Sequence, residues 1–483
     1  MSPPRDARWP ALYVLCAGML MIILDGTIVT VALRSIQADL GFSQADLAWV
    51  VNAYLIAFGG LLLLAGRLGD LIGRRRVFLG GLALFTLASL LCGLAGSQAV
   101  LIGARFTQGV GGALSSAVIL GMIVTMFPQP GEQAKAIGVY SFVASAGASI
   151  GLLAGGVLTQ ALDWHWIFFV NVPIGVLTGL LALRLVPDEP GIGLRAGADV
   201  LGAVLVTAAL MLGVYTIVQA GDHGWGSAET LGQGALSLAL LAGFVWRQAT
   251  AERPLLALRI LRSRNVSGAN LVQVLLVAGM FSMFFLGALF LQTVLGYDAV
   301  ETGLAFLPVS IGIGALSLFV APRLAARVGA RATLAGGLTL MLAGLLVLFD
   351  RADVGAGYVD VLPAFLLLGV GAGLGFPSMM TLAMSGATPS DAGLASGLVN
   401  TTQQVGGALG LAVLATLATE RTDAARAGGA GVLEALTDGY RLAFGIGAVL
   451  IGAAIAVALG VLRSPRPAPD RAAIRAETAS ERA

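Results

Sequence analysis

Long apolar stretches separated by short polar turns recur along the whole chain. Fourteen of them approach or exceed the roughly 20 residues that a membrane-crossing helix needs. Their approximate limits are 11–33, 47–66, 77–96, 99–127, 135–160, 165–186, 198–219, 229–248, 267–295, 300–324, 331–349, 359–383, 395–418 and 440–462. The pattern predicts an all-α polytopic membrane protein with 14 transmembrane helices. Residues 11–186 would form one six-helix half and 267–462 the other, with two extra helices in a linker, 187–266. Residues 1–10 and 463–483 are left as a short N-terminal segment and a disordered Arg/Pro/Ala-rich tail.

The charged residues crowd into the turns, and one turn stands out. Gly66–Gly81 reads Gly-Arg-Leu-Gly-Asp-Leu-Ile-Gly-Arg-Arg-Arg-Val-Phe-Leu-Gly-Gly, and it lies between two apolar runs. Its glycines are expected to let two helix ends approach closely, and its arginines to hold the turn on the cytoplasmic side. A degenerate copy, Pro322–Gly337, follows 256 residues later. Arg67, Leu68, Gly73, Arg75, Gly80 and Gly81 recur as Arg323, Leu324, Gly329, Arg331, Gly336 and Gly337, whereas Ala326 stands where Asp70 does in the first copy. Two related halves around a central cavity are the expected arrangement of a transporter, each half built from inverted three-helix repeats.

Composition agrees: 57% hydrophobic residues, 11% charged residues and a mean hydropathy of +0.91 exclude an ordinary soluble protein. Of the 28 lysines and arginines, 22 fall in segments that are cytoplasmic if the N-terminus is cytoplasmic. Arg34, Arg351, Arg421, Arg426 and Arg441 fall outside, and Arg105 lies within a helix. That asymmetry predicts both termini on the cytoplasmic side. Lys135 is the one lysine, an arginine bias that matches GC-rich coding and points to a bacterial cytoplasmic membrane. The first apolar run is too long for a signal-peptide core and is expected to be retained. Cys16 and Cys92 sit in apolar runs and imply no disulfide framework, and His165 and His223 lack metal-ligand spacing. Without a phosphate-binding loop, nucleophile–base pair or metal cluster, the chain is expected to be no enzyme and to need no cofactor.

Asp25 is the one carboxylate well inside a span, and Arg105 the one base. A charge near mid-membrane costs about 2.5–3.5 kcal/mol on insertion scales, so each must face a cavity or a partner. One acid and one base in the same half invite pairing. The plain alternatives are an Asp25 bonded to backbone or Thr27, and an Arg105 snorkelling to the nearby outer surface. On helix 5, Gly147, Gly151, Gly155 and Gly156 allow backbone-to-backbone packing. Trp164 and Trp166 read as an interfacial belt. Asn52, Tyr54, Gln108, Asn270, Gln273, Asn400, Gln403 and Gln404 sketch a substrate cavity, although each singly reads equally well as interhelical glue. Residues 420–439 could carry a short helix.

Gly66, Leu68, Asp70, Gly73, Arg74 and Arg75 resemble the Gly-x-Leu-x-Asp-x-x-Gly-Arg-Arg loop of the major facilitator superfamily, with Leu71 where a basic residue is usual. Leu24–Leu33, Arg105–Gly112, Gly147–Gly156, Asp163–Pro173 and Asn400–Gly410 resemble motifs of its fourteen-helix drug:proton antiporter branch. Thr30, Arg34, Leu152 and His165 depart from the usual Asn, Pro, Pro and Arg there. The resemblance implies proton handling by Asp25 and Arg105, and a cytoplasmic gate at Gly66, Asp70, Gly73, Arg74 and Arg75. It also implies antiporter-motif packing at the helix 5 glycines. The implied activity is proton-coupled export of amphipathic or cationic drugs by alternating access, by a monomer whose partners are the substrate, protons and the bilayer, with no nucleic acid. A metabolite or antibiotic exporter, or an uptake symporter on the same fold, stays open because of Leu152. So does a non-transporting membrane sensor, since fold alone does not decide function.

Overall fold

The computed structural model describes residues 5–188, 190–193, 197–252, 254–385 and 392–463, and all regular structure among them is helical. The first part of the chain forms α1 (Arg5–Leu40), the short α2 (Gln44–Leu47), α3 (Trp49–Ile72), α4 (Arg74–Gly93), α5 (Gln98–Met126), α6 (Pro130–Ala161), the short α7 (Trp166–Phe169) and α8 (Asn171–Leu185). A hairpin follows, α9 (Val200–His223) and α10 (Ala228–Thr250). The second part holds α11 (Arg264–Leu289), α12 (Ala299–Ala305), α13 (Leu307–Ala315), α14 (Ala321–Val328), α15 (Ala330–Arg351), α16 (Tyr358–Ser385), α17 (Ala392–Ala427) and α18 (Val432–Gly460).

Among the described residues, twelve helical runs are long and apolar enough to cross a membrane, against the fourteen expected. One of them, Ala299–Val328, joins α12, α13, a π-helical turn at Leu316–Val320 and α14. The expected spans 135–160 and 395–418 fall in α6 and α17, helices of 32 and 36 residues that are not among the twelve. Of α6, Ile150–Ala161 is apolar but short. The tail from 464 onward lies outside the described residues.

Polar side chains set several helix ends. Ser227 accepts a hydrogen bond from the Thr230 N–H at 3.1 Å, and Asp298 and Glu301 cap α12 reciprocally. Both copies of the repeated turn pivot on a glycine in a backbone region closed to other residues, Gly73 at φ 101° and Gly329 at φ 88°. The repeat extends to side chains. Arg75 donates to the Leu183 carbonyl near the end of α8, and Arg331 donates to the Leu459 and Ala458 carbonyls near the end of α18. In each half a guanidinium thus satisfies carbonyls that the last helix leaves free and opposes its dipole.

Three helix boundaries differ from expectation. α1 continues to Leu40, because Arg34 donates to the Gln292 carbonyl and Asp39 accepts from the Trp164 indole at 3.0 Å. Span 165–186 is broken at Val170 into α7 and α8. No separate helix occupies 420–439: α17 runs on to Ala427 and α18 begins at Val432, joined by an Arg421–Asp438 ion pair of 2.9 Å.

The halves meet along two seams. α6 lies on α12, where a Cβ at Gly156 would strike the Ala299 carbonyl and the Val300 Cα. α3 lies on α17, where a Cβ at Gly59 would strike Gln404. α9 packs over this second seam, touching α3 through Thr207 at Gly60 and α17 through Thr416 at Gly221. At the rim away from the described chain ends, Gln292 donates to the Val31 carbonyl at 2.9 Å and Gln160 to Asp298 at 2.9 Å. That rim is closed.

Candidate functional site

Asp25 sits in the middle of α1 with none of its surface exposed. One carboxylate oxygen, Oδ2, accepts from Arg105 Nη1 at 2.6 Å. The other, Oδ1, accepts from Gln108 Nε2 at 2.7 Å and from Asn171 Nδ2 at 3.0 Å. Arg105, on α5, is 1% exposed. Its Nε donates to the Val50 carbonyl at 2.8 Å, and its Nη1 also to Gln108 Oε1 at 2.6 Å. The guanidinium lies over the Tyr54 ring at 4.5 Å and near the Phe168 ring at 5.7 Å. Arg105 therefore does not snorkel. Thr27 donates to the Ile23 and Leu24 carbonyls, so it is no partner of Asp25.

Helical spacing builds this cluster. Arg105 and Gln108 are three apart and share one face of α5, while Ser89 and Cys92 share a face of α4 in the same way. Ser89 Oγ accepts from Gln108 Nε2 at 2.8 Å, and the Cys92 thiol donates to Gln108 Oε1 at 3.6 Å. A buried ion pair is tolerable when its remaining polar atoms are also bonded. Here the pair carries that shell.

The expected helix 5 glycines pack as a row against α1. A Cβ at Gly147 would meet Leu20 and Ile23, at Gly151 Thr27 and the Leu24 carbonyl, and at Gly155 Val31 and the Ile28 carbonyl. Gly156 faces the other half. Leu152, in the position of the expected proline, is buried, and α6 runs through it unbroken.

At the repeated turn, Asp70 lies in the last turn of α3 and pairs with Arg74 at 3.3 Å. Arg74 also donates to the Gly121 carbonyl at 3.3 Å, which ties the turn to α5. Close approach does not occur at Gly66, where a Cβ would meet nothing within 4 Å, but three residues on at Gly69, against Val118. The backbone carbonyls of Asp70 and Leu71 accept from the Ile192 and Gly193 N–H groups.

The residues expected to line a substrate cavity separate into different settings. Gln108 and Tyr54 belong to the Asp25–Arg105 cluster. Asn270 donates to the Val266 carbonyl and accepts from Thr402 at 2.8 Å. Asn52 and Gln273 are buried with no side-chain hydrogen-bond partner among the described residues. Gln403 and Gln404 are half-buried and Asn400 is exposed. A cavity of about 160 Å³ lies elsewhere, lined by Leu63, Arg67, Asp199, Pro254 and Leu255. Trp164 is buried rather than interfacial, while Trp166 is 43% exposed. Asn171, Ser89 and Cys92 are the members that sequence reasoning missed. Asn171 carried the one available signal, an amide within an apolar run.

Outside this molecule, the family model described as Major Facilitator Superfamily matches residues 15–411. The puromycin resistance protein pur8 of Streptomyces alboniger is 40% identical over 461 residues, 94% of this chain and 91% of that relative. The cephamycin export protein CmcT of Amycolatopsis lactamdurans is 41% identical over 414 residues, 84% of each chain. Among solved structures, a bacterial homolog to the human lysosomal transporter Spinster, inward-facing and unoccupied, matches the fold with a TM-score of 0.69. It does so at 17% identity, covering 96% of this chain and 100% of that one.

Proposed function

Because this chain belongs to the Major Facilitator Superfamily, a family of transporters and not of enzymes, we propose that it is a proton-coupled exporter of amphipathic or cationic organic molecules. In this reading fourteen helices cross the bacterial cytoplasmic membrane, both termini are cytoplasmic, and the protein works as a monomer. The two halves rock about a mid-membrane site and expose it to either side in turn. The observation that carries the reading is the fully buried Asp25–Arg105 pair, linking α1 to α5.

A proton arriving from outside would neutralise Asp25 and remove its attraction for Arg105, so that α1 and α5 can shift. Each proton entering down 100 mV releases roughly 2.3 kcal/mol, before any pH gradient is added. Asp70 and Arg74 would latch the cytoplasmic turn through their exposed ion pair. With cytoplasmic termini, the closed rim is the outer one, so the structure corresponds to a state barred to the outside.

The test is accumulation of a cationic dye in inverted vesicles energised by an acid interior. Wild type should accumulate dye and lose it on adding an uncoupler, and Asp25→Asn should show no gradient-dependent uptake. Equal activity in the variant would remove Asp25 from the coupling. A narrower reading, export of one antibiotic or metabolite, is favoured by the two relatives named for puromycin and cephamycin and by Leu152. Transport confined to one member of a broad compound panel would select it.

A further inference from the structure

We propose that Asn171 is a positioning residue that follows the proton on Asp25, exchanging the donor it offers the carboxylate for the acceptor it would offer the protonated acid. The inference rests on Asp25 being the proton carrier. It starts from an asymmetry between two amides on the same oxygen. Gln108 is committed at both ends: Nε2 donates to Asp25 Oδ1 and Ser89 Oγ, while Oε1 accepts from Arg105 and Cys92. Turning that amide over would set its N–H groups against the Arg105 guanidinium, a donor facing a donor.

Asn171 is committed at one end only. Its Nδ2 donates to Asp25 Oδ1 at 3.0 Å, and its Oδ1 is buried with no hydrogen-bond partner among the described residues. A buried amide oxygen left unpaired is destabilising. Half of this amide is thus unused while Asp25 is a carboxylate.

The unused oxygen suits the other protonation state. Asp25 Oδ2 is held by the charged Arg105, so Oδ1, faced by two neutral amides, is the oxygen where a proton from water would form its O–H bond. That O–H is a donor and needs an acceptor. A half-turn of the Asn171 amide presents its Oδ1 to it. The position permits the turn: Asn171 opens α8 directly after the break at Val170, and it belongs to neither half of the ion pair. The charged and titratable groups facing Asp25 are Arg105 from α5, Tyr54 from α3 and Cys92 from α4. The adjoining stretches of α6, α7 and α8, 144–156 and 166–179, contain none.

The experiment is acid-minus-alkaline infrared difference spectroscopy on purified protein in lipid nanodiscs, for wild type, Asp25→Asn, Asn171→Leu and Asn171→Ser. The carboxylic C=O band that Asp25→Asn abolishes reports the protonated acid. Asn171→Leu should move that band to the frequency of a carboxyl without an acceptor. Because Asn171 bonds either form, the proton concentration at half-titration should change by less than about threefold, the two lost hydrogen bonds offsetting each other. Asn171→Ser, whose hydroxyl both donates and accepts, should keep the wild-type frequency and show that the site is intact. An unchanged band in Asn171→Leu would overturn the proposal, and so would a midpoint moved about tenfold towards the protonated form, the result of losing a bond to the carboxylate alone. A wild-type spectrum with no band sensitive to Asp25→Asn would instead overturn the proton-carrier reading on which it rests.

Discussion

Arg105 ties three helices of the candidate site together, because one guanidinium joins Asp25, Gln108, the Val50 carbonyl and the Tyr54 ring. Removing it would leave a buried carboxylate with only amide donors. Arg105→Leu should therefore lower stability by about 3–5 kcal/mol, the usual cost of breaking a buried pair from one side. The check is thermal unfolding of the purified protein in detergent, where the midpoint should fall well below that of wild type. Replacing both partners, Asp25→Asn with Arg105→Leu, should recover part of the loss. At this scale the sequence was readable where a residue was costly. Asp25 and Arg105 stand out as charges in apolar runs, whereas Gln108 reads equally as cavity lining. An amide in a span tells of a partner but not which one.

Among the elements, the α9–α10 hairpin shows how local chemistry decides attachment. Asp199 caps α9 through the Gly202 N–H at 3.0 Å and binds Arg247 at 2.9 Å and Gln248 at 2.8 Å on α10. Burial pushes its carboxyl up, but Arg247, the Gly202 N–H and Gln248 together outweigh this and hold it below the usual carboxylate range. A carboxylate depressed in the folded state adds stability that is present above the unfolded value and is lost as pH falls through the folded one. Wild type should thus lose thermal stability on acidification below about pH 4 more steeply than Asp199→Asn. Melting curves of both proteins through that range decide it. Apolar run length located most elements. It missed the break at Val170, the joined ends of α17 and α18, and the extension of α1, the last of which follows from bonds to distant segments.

For the whole molecule, alternating access requires the closed rim to part. Gln160 and Asp298 are bonded across it at 2.9 Å, from α6 to the cap of α12. A Gln160→Cys, Asp298→Cys protein cross-linked under oxidising conditions should lose transport in the vesicle assay, and reduction should restore it. Undiminished transport with the cross-link formed would mean that the rim does not open.

Helical class and the identity of the buried acid and base were determined by the sequence alone. The reason is that lipid admits only helices and closed barrels, apolar runs of about 20 residues select the helix, and every charge among them is penalised. The repeated turn was legible too, since its glycines and arginines answer to local backbone and surface needs. Which groups meet was decided only by the tertiary structure. Asn171 reaches Asp25 across 146 residues, Gln292 reaches Val31 across 261, and Trp164 reaches Asp39 across 125. Nothing in the hydrophobic period of one helix encodes the neighbour against which another helix will set its face.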